Sequence, residues 1–143
     1  MIGIDTNLLI YAHRRATPQH RAAKRAIETA AQDPRGWGIA AATVSEFWSI
    51  VTHPDAAGGP TSPGQAKAFL AALADTGGMR LWTPGVGFGL RLMQMATDLS
   101  VSGVRIFDLQ IGLTVLDSGA VELWSHDAGF VHIPGLRFRD PLH

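Results

Sequence analysis

The chain reads as an α/β protein with a central, mostly parallel sheet. Three observations carry that reading. Strand-like and helix-like segments alternate along the 143 residues, as in βαβ architectures. The short apolar runs give way at once to helical spacing. Acidic residues follow several of these runs, at the sheet edge where open α/β folds bind ligands. The length fits one domain over residues 1–143, in which folding buries roughly two-thirds of the unfolded surface. Apolar residues make up 46% and charged residues 17%, which excludes a disordered chain.

Ile2-Gly3-Ile4 is a short buried strand, and Leu8, Leu9 and Ala12 suit the face of the helix after it. Asp5 then stands at the strand's carboxyl end. A carboxylate buried there needs compensation, and capping of the next helix is one ordinary source of it. Thr17 caps a second helix with Pro18 in its first turn. Ala22, Ala23, Ala26, Ile27 and Ala30 continue it, and Asp33-Pro34-Arg35-Gly36 stops it. Trp37-Gly38-Ile39-Ala40 is a second strand. Thr43-Val44-Ser45-Glu46 opens the next helix with a capping-box pattern, so Glu46 has both a capping and a functional reading.

Residues 54–64 form a Pro/Gly surface loop. Ser62-Pro63 starts a helix with Ala66, Phe69, Leu70 and Leu73 inward, ending near Gly77-Gly78. Residues 79–83 read as a weak strand. Leu92, Met93, Ala96 and Leu99 mark a helix from about residue 90, with Met93 and Met95 as core filler. After the break at Ser102-Gly103, Asp108 opens a helix, where a negative charge near the N-terminus contributes about 0.3–1 kcal/mol. Val121-Glu122-Leu123-Trp124 is the next strand, with Ser125 to Phe130 as its exit loop, and Asp127 alone reads as a turn residue. Ile133-Pro134-Gly135-Leu136 is a turn and Arg137-Phe138-Arg139 a last strand. Trp37, Trp48, Trp82 and Trp124 read as core or partner-facing.

Lys+Arg and Asp+Glu both number 12, so net charge points to no class of partner. The distribution is less even. No acid lies between Asp5 and Glu28, whereas Arg14, Arg15, Arg21, Lys24 and Arg25 do. This run is either an RNA-backbone contact or a solvated helix face. Zero cysteines exclude disulfides, iron–sulfur clusters and thiolate zinc sites. The six histidines show no metal-ligand spacing, and His126 reads as a surface-loop residue. No apolar run reaches the ~20 residues of a membrane span and no leader pattern is visible, so a soluble cytoplasmic protein with no membrane partner is expected.

Asp5, Glu46 and Asp127 each follow a strand-like run and Asp108 opens a helix. Right-handed crossovers bring such strand ends to one edge of a parallel sheet. Four carboxylates in one cleft raise one another's pKa, and a hard divalent ion relieves that. Oxygen-only ligands favour Mg²⁺ or Mn²⁺.

Five stretches carry a family resemblance. They are Ile-Asp-Thr-Asn at 4–7, Thr-Val-Ser-Glu at 43–46, Asp108 at its helix, Leu-Trp-Ser-His-Asp-Ala-Gly-Phe at 123–130 and the closing run at 133–142. In this order, over essentially the whole chain, they resemble the PIN-domain ribonucleases, and among them the VapC-type toxins of toxin–antitoxin pairs. The resemblance implies a Rossmann-like three-layer sandwich and a Mg²⁺- or Mn²⁺-dependent endoribonuclease that cleaves RNA with metal-activated water. It implies an acidic quartet of Asp5, Glu46, Asp108 and Asp127, in which Asp5 and Asp108 are the principal metal ligands. It further implies a cognate VapB-type antitoxin and a homodimer. Thr6, Asn7 and Ser125 suit an outer shell that orients the carboxylates. Arg14 and Arg15 are candidate RNA contacts. Arg105 either touches substrate phosphate or pairs with a carboxylate.

Family members commonly place small residues after the third acid, whereas Leu109, Gly112, Leu113 and Thr114 stand here, which questions how closely that helix packs. A catalytically inactive PIN-like domain that binds RNA or a protein is the alternative, and the presence of all four acids argues against it. Phosphotransfer of the haloacid-dehalogenase type needs a second Asp where this chain has Asn7.

Overall fold

The computed structural model describes residues 1–143. The elements run β1 (Ile2–Ile4), α1 (Thr6–His13), α2 (His20–Ala30), β2 (Trp37–Ala40), α3 (Ala41–Val51), α4 (Pro63–Asp75), β3 (Met79–Trp82), α5 (Phe88–Asp98), α6 (Arg105–Asp117), β4 (Glu122–Trp124) and β5 (Arg137–Arg139). The five strands form one sheet in the order β3-β2-β1-β4-β5, and every adjacent pair is parallel. The expected sheet is thus wholly parallel.

Alternation along the strands sorts side chains onto two faces. Ile2, Ile4, Trp37, Ile39, Met79 and Trp124 pack with residues of α1, α2, α3 and α4. Ala40, Trp82 and Leu123 pack with α6 and partly buried side chains of α5. The result is three layers, with Trp37, Trp82 and Trp124 buried. Gly3 lies on the α6 side, where a Cβ would sit 2.5 Å from Val115 Cγ1. This answers the packing question raised by the residues after Asp108. The sheet supplies the small residue, so α6 approaches closely while Leu109, Ile111, Leu113 and Val115 are buried.

Three local expectations need correcting. The third helix starts at Ala41, with Ala40 as its cap and no side-chain cap bond. Thr43 is therefore buried inside the first turn, and the capping box does not form. Helix α2 starts at His20, because Thr17 uses its hydroxyl to donate to the Arg14 carbonyl at 2.9 Å in the preceding turn. Met93 is 60% exposed and fills no core, whereas Met95 does pack against α6 and its neighbours. The box at Ser62 and Gln65 forms as a reciprocal pair, with Pro63 at the helix start.

The strand order reverses between β1 and β4, since β1 leads outward through β2 to β3, and β4 leads the other way to β5. A crevice opens at such a switch point, outside the carboxyl ends of the strands. Asp5 follows β1 and Ser125 follows β4.

Candidate functional site

Asp5, Glu46, Asp108 and Asp127 line one cleft of about 280 Å³, together with Thr6, Asn7, Ile10, Ile50, Val104 and Phe107. The register explains how Asp5 is held. Ile4 pairs with Trp124, and the Asp5 amide donates to the Trp124 carbonyl at 2.9 Å, which brings Ser125 alongside Asp5. The Ser125 hydroxyl donates to Asp5 Oδ2 at 2.7 Å, and the Thr6 amide donates to Oδ1 at 2.8 Å. Asp5 is thus both the cap of α1 and a wall of the cleft.

Ser125 Oγ also accepts from Asn7 Nδ2 at 3.2 Å and from the Asp127 amide at 3.1 Å. Asn7 Oδ1 accepts from the His126 amide at 3.2 Å. Ser125 thus bonds Asp5 directly, and Asn7 acts on Ser125 and the following loop. Thr6 contributes its backbone. Its hydroxyl oxygen is buried without a hydrogen-bond partner.

Burial pushes the Asp5 carboxyl up to about 6, against the donors Ser125 and Thr6, and nearby Glu46 and Asp108 push the same way. Arg105 Nη1 donates to Asp108 Oδ2 at 2.8 Å and to Asp127 Oδ2 at 2.7 Å. Burial raises the Asp108 carboxyl even so. Burial also works upward on Asp127, but the Arg105 guanidinium and the Gly129 amide outweigh it and hold that carboxyl below its ordinary value. The two acids in turn strengthen the hold of Arg105 on its proton. Of the two roles open to Arg105, the carboxylate pairing is present.

Arg14 and Arg15 do not line the cleft. Arg14 donates to the Ala57 and Val51 carbonyls, tying α1 to the loop after α3, and Arg15 is exposed. No residue pattern in the chain marks the apolar rim. Val104 and Phe107 are 76% and 54% exposed and stand at the start of α6, before its buried stretch begins at Leu109. A second hollow of about 420 Å³ between α3 and α6 shares Glu46, Ile50 and Phe107 with the cleft and adds Ser45, Ser49 and Gln110. The cleft therefore continues as a groove.

One guanidinium faces four carboxyl groups, and the donors are all oxygens, with the unpartnered Thr6 hydroxyl beside them. A partly hydrated divalent ion fits this set, because hard cations take carboxylate and water oxygens.

The family model for the PIN domain matches residues 2–136, and over 143 residues the chain is 34% identical to a VapC ribonuclease of Mycobacterium bovis. This chain belongs to the VapC-type PIN-domain family. That alignment covers 99% of this chain and 96% of the relative, as it does for ribonuclease VapC43 of Mycobacterium tuberculosis, also at 34%. Ribonuclease VapC48 of the same species is 26% identical, with 96% and 95% covered.

The fold is shared with more distant structures. One is VapC20 of Mycobacterium tuberculosis, a sarcin–ricin loop cleaving toxin, with a TM-score of 0.68 and 16% identity over 93% of this chain and 98% of that one. Another is VapBC2 of Rickettsia felis bound to a promoter DNA fragment, with 0.69 and 17% over 97% and 98%. The resemblance read from the sequence is borne out at the level of family and fold. No helix is long and apolar enough to cross a membrane.

Proposed function

We propose that this chain, as a single PIN domain over residues 1–143, is a divalent-metal-dependent endoribonuclease and the toxin of a VapBC-type pair, acting in the cytoplasm. A VapB-type antitoxin holds it in check, and it works as a homodimer. The observation that carries the reading is the convergence of Asp5, Glu46, Asp108 and Asp127 on one cleft in a chain whose relatives are named VapC ribonucleases.

Asp5 and Asp108 would be the principal ligands, with Glu46 and Asp127 completing the shell directly or through water. The all-oxygen donor set favours Mg²⁺ or Mn²⁺. The bound ion supplies Lewis acidity, which activates water and stabilises charge building on the phosphodiester. Ser125 and the Thr6 amide fix both oxygens of Asp5, so the ligand is oriented before the ion arrives. Arg105 pairs with Asp108 and Asp127 and would be free to contact substrate phosphate where an ion held those carboxylates instead. The groove past Glu46 and Phe107 receives RNA, with Phe107 offering a face on which a base stacks.

The test incubates the purified protein with structured RNAs and Mg²⁺ or Mn²⁺, beside EDTA and Asp5→Asn controls. Cleavage that stops in both controls is expected, and cleavage that survives both contradicts the mechanism. Expression without a partner tests the toxin role separately. Growth arrest relieved by Asp5→Asn supports it, and unaffected growth in cells whose RNA is still cut removes it.

A further inference from the structure

Outside the acidic cleft, three side chains converge on one point near the end of the chain. His126 Nδ1 lies 2.8 Å from Asp140 Oδ2, and His143 Nε2 lies 3.4 Å from the same oxygen. One donor atom from each of the three lies within 4.8 Å of the other two.

Two of these donors are held in place by neighbours. Asp140 Oδ1 accepts from the Leu142 amide at 2.9 Å, which turns Oδ2 toward the imidazoles. The His126 ring meets Tyr11 edge-on at 6.0 Å between centroids, and its amide is tied to Asn7. Contacts of this kind orient ligands at metal sites. The third donor is more open, since the His143 side chain is 78% exposed, with its ring 5.3 Å from that of His126. Spacing in the sequence hid the group, because His126 follows β4 whereas Asp140 and His143 follow the neighbouring β5.

We propose that His126, Asp140 and His143 bind a transition-metal ion of the Zn²⁺ class at a site separate from the carboxylate cleft. Two imidazoles and one carboxylate form a borderline donor set that suits Zn²⁺ and its late first-row neighbours, whereas Mg²⁺ prefers oxygen. Zinc bonds of about 2.0–2.2 Å in a tetrahedral arrangement set donor atoms roughly 3.3 Å apart. The two contacts at Asp140, at 2.8 and 3.4 Å, need only small adjustments to meet that spacing, and the His143 ring closes the third side. Three protein donors leave a fourth position for water. The ion takes the place of the hydrogen bond between His126 Nδ1 and Asp140 Oδ2, since metal binding competes with protons for the same donor atoms.

Its consequence is mechanical. His126 sits between Ser125, which holds Asp5, and Asp127. The ion therefore clamps residues 140–143 onto the exit loop of β4 and stiffens one wall of the cleft.

The test uses the untagged protein, stripped of metal and titrated with Zn²⁺ by calorimetry in excess Mg²⁺, which competes for the carboxylates of the acidic cleft. One Zn²⁺ per chain is expected. His143→Ala should weaken binding by at least about 10–100-fold, the loss seen when even an outer-shell partner of a ligand is removed, and His143→Asp should restore part of it. The doubly substituted Asp5→Asn, Asp108→Asn protein should bind Zn²⁺ as the parent does. Absence of Zn²⁺ binding, binding unchanged in His143→Ala, or binding lost in the doubly substituted protein would each overturn the proposal. Circular dichroism of each variant confirms that the comparison is between folded proteins.

Discussion

The Ser125 hydroxyl donates to Asp5 Oδ2 at 2.7 Å, joining the carboxyl ends of β1 and β4 at the point where the strand order reverses. Ser125 is completely buried, and the same oxygen accepts from Asn7 and from the Asp127 amide. One side chain thus orients the first acid and positions the loop of the last.

Ser125→Ala removes that donor and leaves Asp5 Oδ2 without a protein partner. Burial then acts on Asp5 with less opposition, so its carboxyl rises further. The expected outcome is a folded protein with Mn²⁺ affinity reduced about 10–100-fold, the usual loss for an outer-shell partner, read by calorimetric titration. Unchanged affinity would show that Ser125 only packs.

Arg105→Gln takes away the cation that bridges Asp108 and Asp127. The guanidinium occupies carboxylates that the proposed metal ion would need, so it would compete with the ion. Metal-free Arg105→Gln should bind Mn²⁺ more tightly than the parent yet cleave RNA more slowly, because the proposed phosphate contact would be lost. Weaker Mn²⁺ binding would mean that Arg105 builds the site rather than guarding it.

The pH dependence of stability follows from Asp5. Its carboxyl titrates near 6 in the folded chain against an ordinary 3.8, so between these values the folded state holds more protons than the unfolded one. Stability contributed by the protonated group is full below about pH 4 and is lost as pH rises through 6, on the order of 3 kcal/mol. Asp5→Asn mimics the protonated form. In EDTA its stability advantage over the parent should grow from near zero at pH 4 to that size at pH 7.5, measured by urea unfolding. A difference that does not change with pH would contradict the assignment.

Much of this architecture is legible in the sequence, because strands and helices here announce themselves locally. Trp37–Ala40 and Arg137–Arg139 carry the expected strands, and Ser62-Pro63 carries a cap that forms as written. The misread starts at Thr43 and Thr17 have different causes. Thr17 gives its hydroxyl to the Arg14 carbonyl in the preceding turn, whereas Thr43 is packed inside the first turn of α3, where its hydroxyl is fully buried and has no hydrogen-bond partner. The convergence of the four acids on one cleft is legible because each follows a strand-like run or stands near a helix start. The pairing of Arg105 with Asp108, three residues on, is one of the two roles its position allows, but its reach to Asp127 and the His126, Asp140 and His143 group are not legible, since they depend on contacts between segments distant in sequence.

Gly38→Ala probes the sheet without touching the cleft. A Cβ at Gly38 would lie 2.5 Å from the Arg80 carbonyl oxygen and 3.0 Å from Trp82, so β2 and β3 must shift. Overpacking of this kind costs about 1–3 kcal/mol. The midpoint of urea unfolding should fall while Mn²⁺ affinity of the folded protein stays at the parent value.

Mn²⁺ titration of the parent and of Asp5→Asn, Glu46→Gln, Asp108→Asn and Asp127→Asn, with RNA cleavage followed on the same samples, tests the proposed shared metal site most directly. The expected result is that Asp5→Asn and Asp108→Asn lose Mn²⁺ binding and cleavage together, with smaller losses of both for the other two. Mn²⁺-dependent cleavage at the parent rate in Asp5→Asn and Asp108→Asn would contradict it.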